Sequence, residues 1–234
     1  MTTPRKRSSA KNAKARNPAR APAPLGRREQ NKQEKYDRIR KAAKHLFATK
    51  GFHQTTTLEI AEQADIATGT LFLYAKTKED LLIMVFKDEM IETSRAAFEN
   101  VPQSAHLLDQ VMHVFNAMIA YHSEDVNLAK ALISEVTPLS SNHRRTNMDT
   151  LLKVIYDGIG KIISDCQQDG KARKNIDLQL VGQTLFGIYY TALIGWLCGL
   201  TTKKEFLHRL PIMLSIAIVG IEPTTKLTRS KRVR

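Results

Sequence analysis

The segment at positions 55–82 reads "TTTLEIAEQADIATGTLFLYAKTKEDLL" and predicts two short helices, a tight turn between them, and a longer helix after them. Thr56 lies three residues before Glu59, which is the spacing of a capping box at the start of a helix. Thr77 lies three residues before Asp80 and marks the start of the longer helix in the same way. Because these starts are encoded locally, this segment decides the fold from which the rest of the chain is interpreted.

The second short helix is expected to follow a turn at Asp65 and to run to Tyr74. Asp65 suits the turn because Asp is among the few residues that tolerate a left-handed backbone. Ala67 precedes this helix and cannot cap it with its side chain, so capping is expected to shift to Thr68 or to be lost. Leu71 is expected to pack in the core beneath the helix pair.

Apolar residues recur with the helical period through the rest of the chain. A helix is predicted from residue 33 onward, with Gly51 after its last turn. One later stripe comprises Leu108, Val111, Met112, Phe115, Met118, Ile119 and His122. A longer one comprises Met148, Leu151, Leu152, Ile155, Ile159, Ile162, Ile163 and Cys166. No segment shows the period-two alternation of strands, so the sequence predicts an all-α fold.

The formal net charge of +13 is concentrated at the two ends of the chain. Residues 1–30 carry nine Lys/Arg and one acid, and residues 222–234 carry five Lys/Arg and one acid. The 191 residues between them are nearly neutral, at +1. Residues 1–30 are therefore predicted to be a disordered basic arm, and residues 222–234 a basic tail. Such ends either follow DNA phosphates or serve only as solubilising segments.

Cysteine usage and the N-terminus both favour a cytoplasmic protein. Cys166 and Cys198 each fall in an apolar helical pattern and are expected to be small buried residues rather than a disulfide. The first residues lack the apolar region of a secretory signal.

An uncharged run of 25 residues, 178–202, is long enough to cross a bilayer. Polar residues are scattered through its middle, and an all-round apolar helix also suits the centre of a bundle or a subunit interface. The following stretch, 206–221, is apolar as well, with Pro211 expected near a kink or a helix start. We therefore expect a homodimer formed through residues 178–221 and no membrane span.

The helix-turn-helix segment and its surroundings, residues 35–90, resemble the N-terminal DNA-binding domain of TetR/AcrR-type transcriptional regulators. The resemblance rests on Gly51-Phe52, Thr55-Thr56, Ile60-Ala61, Gly69-Thr70-Leu71, Tyr74, Lys78 and Leu81-Leu82 in this order. It implies a three-helix DNA-binding domain at 31–78 and a larger helical bundle for ligand binding and dimerisation at 79–221.

The resemblance also implies a set of DNA contacts. By position these are Thr56, Thr57, Thr68, Gly69, Thr70, Phe72, Leu73, Tyr74 and Lys78. Gly69 lacks a Cβ and permits a close approach to DNA, while threonine hydroxyls and methyls suit phosphates and thymine. Phe72 is alternatively a core residue, and Lys78 is alternatively a solvated charge.

In the resembled family a small ligand enters the helical bundle and shifts the fourth helix. Candidate pocket residues are Phe86, Met112, Phe115, Met118, His122, Tyr156, Phe186 and Tyr189. Each of them is alternatively a plain core residue. Their side chains favour an apolar or aromatic effector.

Other chemistry finds little support in the sequence. His106 and His113 could share a helix face, but no cysteine or carboxylate completes a zinc site. No phosphate loop, nucleophile motif or cofactor signature occurs, so neither an enzyme nor a cofactor is expected. The sequence predicts a sequence-specific transcriptional regulator, a repressor released from its double-stranded operator by a small ligand. The alternative is an architectural DNA-binding protein driven by its basic tails.

Overall fold

The computed structural model describes residues 26–136 and 142–221, and these residues form nine helices. No strand occurs in either described range, which confirms the all-α prediction. The helices are α1 Arg27–Lys50, α2 Thr57–Gln63, α3 Thr68–Leu71, α4 Lys78–Glu99, α5 Leu107–Glu124, α6 Val126–Val136, α7 Asn142–Gln168, α8 Leu178–Leu197 and α9 Lys203–Val219. The first three and the start of α4 form the N-terminal unit, and the later helices pack around the rest of α4.

The two predicted basic ends lie almost wholly outside the described residues, since only residues 26–30 of the arm belong to them. Those residues are not an extended arm, because α1 begins at Arg27, six residues before the predicted start at 33. Glu29 lies in the first turn of α1, where a negative charge complements the positive end of the helix dipole.

The helix starts of the opening segment are confirmed in detail. Thr56 caps α2 with a full capping box: its hydroxyl accepts the Glu59 N–H, and the Glu59 carboxylate accepts the Thr56 N–H. Thr77 caps α4 by accepting the Asp80 N–H at 3.1 Å. Asp65 adopts the left-handed conformation, with φ of 51°.

The second short helix is shorter than predicted. α3 ends at Leu71 rather than at Tyr74, and the residue before its first turn, Ala67, provides no side-chain cap. The N–H groups of Leu73 and Tyr74 donate to the carbonyls three residues back, at 3.1 and 2.9 Å. This is the tighter hydrogen-bond pattern of a 3₁₀ turn. The missing cap and Gly69 weaken the helix, and the hydrogen bond from the Tyr74 hydroxyl to Lys32 on α1 holds the turn that ends it.

The fourth helix connects the two parts of the molecule. Its first turn packs Leu81 and Leu82 into the core beneath α1 and α2, with exposures of 0% and 1%. Its second half packs against α5, α6 and α7. A continuous helix therefore joins the helix-turn-helix to the larger bundle.

α7 and α8 pack closely because Gly182 carries no side chain. A Cβ built there would lie 2.8 Å from the carbonyl oxygen of Tyr156, which no real side chain tolerates. Gly187, by contrast, faces open space. α9 begins at Lys203 with a capping box of Thr202 and Glu205, so Pro211 lies inside this helix and does not start it.

α8 and α9 leave apolar side chains exposed in the single chain. They are Leu180, Leu207, Ile212, Met213, Ile216 and Val219, with Ile216 at 73% exposure. By length and composition alone, α8 could also cross a membrane. The prediction that Cys198 is buried is wrong: it is exposed just beyond the last turn of α8, where the chain leaves the bundle. Cys166 is buried as predicted.

Candidate DNA-binding surface and effector cavity

All nine predicted DNA contacts are exposed or partly exposed in the helix-turn-helix and the residues after it. Leu71 is fully buried beneath them, as predicted, and fixes α3 on the core. Leu73 is 79% exposed, and Phe72 is 37% exposed. Gly69 has no atom within 4 Å of a Cβ built on it. The helix-turn-helix therefore presents a backbone open at Gly69, with two apolar side chains beside it.

The capping box at Thr56 leaves its hydroxyl already occupied. That hydroxyl donates to Glu59 Oε2 at 2.9 Å and accepts the Glu59 N–H at 3.2 Å. Lys50 pairs with the same carboxylate, and hydrogen bonds from Lys50 and then Thr56 lower the pKa of Glu59 to about 2. At Thr56 a phosphate is therefore best met by the N–H groups of the first turn of α2.

Two of the predicted DNA contacts also brace the domain. The Tyr74 hydroxyl donates to the carbonyl of Lys32 on α1 at 3.3 Å. The ammonium of Lys78 donates to the carbonyl of His53 at 3.1 Å and lies 4.6 Å from the ring centre of Phe52. Lys78 is thus more than a solvated charge, and DNA contact by either side chain stays a prediction.

Sequence reasoning missed two features that hold the recognition elements in place. Arg38 donates to both the carbonyl and the carboxylate of Asp65 at 3.3 Å, and so ties α1 to the left-handed turn. Thr55 is 1% exposed, and its hydroxyl donates to the carbonyls of Gly51 and Leu46. The partners in these hydrogen bonds are at least four positions apart and do not share a helix face. The helical periodicity of the sequence therefore could not predict them.

A cavity of about 290 Å³ lies between α1, α4, α5 and α6. Lys44 and Ala48 of α1 line one wall, and Phe86 and Glu89 of α4 line another. The remaining walls include Tyr121, His122, Asp125, Leu128 and Leu132. The N-terminal unit therefore contributes side chains directly to this space.

A narrow slot of about 30 Å³ adjoins the cavity on the side of the bundle. Phe86, His122 and Leu132 line both spaces and form the threshold between them. Of the predicted pocket residues, the slot also takes in Met118, Phe186 and Tyr189. The residues that prediction missed include Met90, Leu132, Ile133, Met148, Leu151, Ile155, Tyr190 and Leu193.

The other three predicted pocket residues line neither space. Phe115 is fully buried and stacks on Tyr189, with ring centres 4.6 Å apart. Tyr156 meets Phe186 edge to face. Met112 is only partly buried and packs against the edge of the core. Phe115 and Tyr156 therefore back the slot rather than form its surface.

The slot is apolar but contains two buried polar groups. His122 is 3% exposed and stacks on Phe86 with ring centres 5.8 Å apart. Burial lowers the pKa of His122 to about 4, so the imidazole is uncharged at neutral pH. Tyr189 is 1% exposed, and burial raises the pKa of its hydroxyl.

Comparison with known proteins identifies the N-terminal unit and finds relatives of the whole chain. Residues 39–85, from α1 into α4, match the family described as "Bacterial regulatory proteins, tetR family". The fatty acid metabolism regulator protein of Bacillus subtilis is 29% identical over 191 residues, covering 81% of this chain and 97% of its own. Residues 39–85 are a TetR-family DNA-binding domain.

Solved structures agree with this assignment. One solved structure that the chain matches is the transcriptional regulator FadR of Bacillus subtilis in complex with stearoyl-CoA. The two are 27% identical with a TM-score of 0.61, and the match covers 80% of this chain and 100% of that one. The chain shares its fold with Thermus thermophilus FadR, in complex with lauroyl-CoA, at 22% identity and a TM-score of 0.67, covering 85% and 98%. The protein is a DNA-binding transcriptional regulator, as the sequence predicted.

In this TetR-family regulator, polar contacts connect the N-terminal unit to the cavity. Glu89 of α4 pairs with Lys44 of α1 and accepts a hydrogen bond from the Tyr121 hydroxyl at 3.0 Å. The preceding residue of α4, Asp88, accepts a hydrogen bond from the Tyr36 hydroxyl of α1 at 2.7 Å. Movement of α4 at the cavity therefore changes contacts made by α1.

No group of three His, Cys, Asp or Glu side chains within residues 26–136 and 142–221 is placed to hold a metal ion. His106 lies just before α5 and His113 within it, where the sequence had suggested a shared face without further ligands.

We expect the free energy of unfolding to decrease as the pH is lowered, because of His122. The unfolded chain takes up a proton near pH 6.5, whereas the folded protein does so only near pH 4. The stabilisation is therefore complete above pH 6.5 and is lost as the pH falls towards 4, by about 2 kcal/mol at pH 5. Urea unfolding at pH 7.5 and 5.0 measures this loss.

His122→Phe keeps a ring against Phe86. It should reduce the loss of unfolding free energy between pH 7.5 and pH 5.0 by about 2 kcal/mol. His113→Phe, at a partly exposed position on the same helix, is the control and should leave the loss unchanged. An equal loss in wild type and His122→Phe would contradict the expectation.

Proposed function

We propose that this regulator is a repressor whose operator affinity falls when it binds a coenzyme A thioester with a largely apolar acyl group. The observation that carries the proposal is a series of three adjoining spaces: a lysine-bearing groove, the cavity, and the apolar slot beyond Phe86 and His122. Neighbouring spaces share lining residues. The FadR of Bacillus subtilis, a relative along its whole length, was solved with stearoyl-CoA bound. That supports the same ligand class here.

The two ends of such a ligand require different surroundings, and the path offers both. The slot supplies methionine, leucine and aromatic side chains for an acyl group. At the other end, the cavity adjoins a groove of about 630 Å³ between α1 and α6. Lys130 and Lys50, which also pairs with Glu59, line that groove together with Asp125. Its lysines outnumber its carboxylates and suit the phosphates of coenzyme A.

The charges between these two ends suit the uncharged middle of the ligand. The cavity is lined by Lys44, Glu89, Glu124 and Asp125. Glu89 is paired with Lys44, and Asp125 accepts the Leu128 N–H at the start of α6. An anionic phosphate would be repelled here, whereas the neutral pantetheine portion would not. The phosphates therefore belong in the lysine-bearing groove.

Release of DNA follows from the position of Phe86. It lies at the threshold between cavity and slot, on the helix that also carries Lys78 and Leu81 into the DNA-binding unit. A ligand that displaces Phe86 binds one orientation of α4 better than another, and this difference in affinity shifts the equilibrium. The favoured orientation no longer matches the operator.

Further parts of the proposal concern organisation. Residues 31–78 act as the DNA-binding domain and residues 79–221 as the effector and dimerisation domain. Two chains associate through the apolar surfaces of α8 and α9. The exposed apolar side chains on these helices support a homodimer formed through residues 178–221 rather than a membrane span. The protein acts in the cytoplasm on double-stranded operator DNA, as a regulator and not an enzyme.

The proposal is tested by release of labelled operator DNA, which is selected from a random pool and followed by fluorescence anisotropy. Stearoyl-CoA should release the DNA, while coenzyme A alone should release little at the same concentration. Lys130→Glu should weaken the response about tenfold, because a phosphate contact becomes a repulsion. Lys161→Glu, on the exposed side of α7, is the matched control. Retention of the DNA with every thioester tested would overturn the proposal.

A further inference from the structure

Two polar atoms at the slot have no hydrogen-bond partner within the described residues. They are Nδ1 of His122 and the hydroxyl oxygen of Tyr189. Both side chains are almost fully buried, with exposures of 3% and 1%. A buried polar atom without a hydrogen bond destabilises a folded protein by more than a formed hydrogen bond stabilises it. Folded proteins therefore contain few such atoms. Both side chains line the space that the proposed function gives to the acyl group.

The two residues meet different parts of a ligand that enters from the cavity. His122 lines both the cavity and the slot, and so stands at the threshold. Tyr189 lines the slot only, and its ring is fixed against Phe115. The thioester therefore reaches His122 first, and the Tyr189 hydroxyl faces acyl carbons beyond the thioester.

We propose that the acyl group of the effector carries an oxygen substituent, a hydroxyl or a keto group, that hydrogen-bonds the Tyr189 hydroxyl. Tyr189 is thereby the specificity-determining residue of the slot. A fully saturated chain would place methylene groups against that hydroxyl and leave it unpaired. The inference rests on the proposed function, because it names which class of coenzyme A thioester the same site selects.

The shape of the slot favours a short or flat acyl group over a long flexible one. The free volume in this conformation is about 30 Å³. Phe186 stacks on Tyr190 with ring centres 5.8 Å apart, and Phe86 closes the outer end. Aromatic walls of this kind accept a ring or a short chain with the least rearrangement.

The test uses the full-length protein on its selected operator and two matched pairs of thioesters. One pair is octanoyl-CoA and 3-hydroxyoctanoyl-CoA, and the other is phenylacetyl-CoA and 4-hydroxyphenylacetyl-CoA. In at least one pair, the oxygenated member should release half of the DNA at a concentration about tenfold lower or less, because a site built to hydrogen-bond an oxygen rejects the analogue without it.

Tyr189→Phe removes only the hydroxyl and keeps the stack on Phe115. It should reduce the preference to within about twofold, by weakening the oxygenated member. Tyr190→Phe, in the same slot but partly exposed, is the matched control and should keep the preference. Circular dichroism and thermal unfolding of the ligand-free variants establish that both fold. A purely structural role for Tyr189 would change stability without changing this ratio.

Three results would overturn the inference. Equal release by both members of each pair would do so, as would a preference that survives Tyr189→Phe. Release by stearoyl-CoA but by none of the four shorter thioesters would do so as well. In each case the proposed function would stand. If no thioester releases the DNA, stearoyl-CoA included, the proposed function itself fails, and the inference fails with it.

Discussion

Ile216→Glu is expected to convert the protein into monomers and to weaken its binding to operator DNA by at least about a hundredfold. Ile216 is 73% exposed in the single chain and lies among the other exposed apolar residues of α8 and α9. In a two-fold symmetric interface the substitution buries two new carboxylates without partners. Once the chains separate, the two halves of an operator are no longer bound together.

Light scattering measures the association, and anisotropy with operator DNA measures the affinity. Thr150→Glu adds the same charge on an exposed position of α7 and is the control. A dimer that persists in Ile216→Glu with wild-type operator affinity would show that another surface joins the chains.

Gly69→Glu is expected to abolish specific operator binding, with a loss of at least about a hundredfold, since a carboxylate would be brought against DNA phosphates. Gly69 has open space around it, so the protein itself can accommodate the new side chain. Gly69→Ala is the matched control at the same position. It should raise helix stability by up to about 1 kcal/mol and cost far less operator affinity than the glutamate.

Binding to operator and to random DNA, at several salt concentrations, separates the two DNA-binding hypotheses. A regulator that reads DNA with its helix-turn-helix loses its preference for operator in Gly69→Glu. A protein driven by its basic ends keeps equal, salt-sensitive binding to both DNAs in all variants. The second outcome would contradict the role given to α3.

The helix-turn-helix was largely predictable because its signals are local. The capping box at Thr56, the left-handed Asp65 and the missing cap at Ala67 each depend on residues within a few positions of one another. The length of α3 was not predictable in this way. Its end at Leu71 depends on how the following turn packs on α1, including the bond from Tyr74 to Lys32.

The effector site was predicted less completely, because a helical stripe does not show which neighbour covers it. On α5 the predicted stripe included Met112, whereas the structure buries Val114 and the polar Gln110 on the core side. Phe115 lies on the right face but stands behind Tyr189 instead of facing the slot. Leu132 has an ordinary apolar pattern, and only the packing of α6 against α4 brings it to the threshold.

The unbroken course of α4 gives the regulator a mechanical lever. Phe86 and Lys78 are eight residues apart, or about 12 Å along the helix axis. A tilt of about 10° centred on Phe86 would move the start of the helix by about 2 Å at that rise per residue. In a symmetric dimer both copies move, so the distance between recognition helices could change by about 4 Å against a required spacing of about 34–36 Å. A small displacement of α4 by the ligand would thus change the distance between the recognition helices, so that they no longer fit both half-sites of the operator.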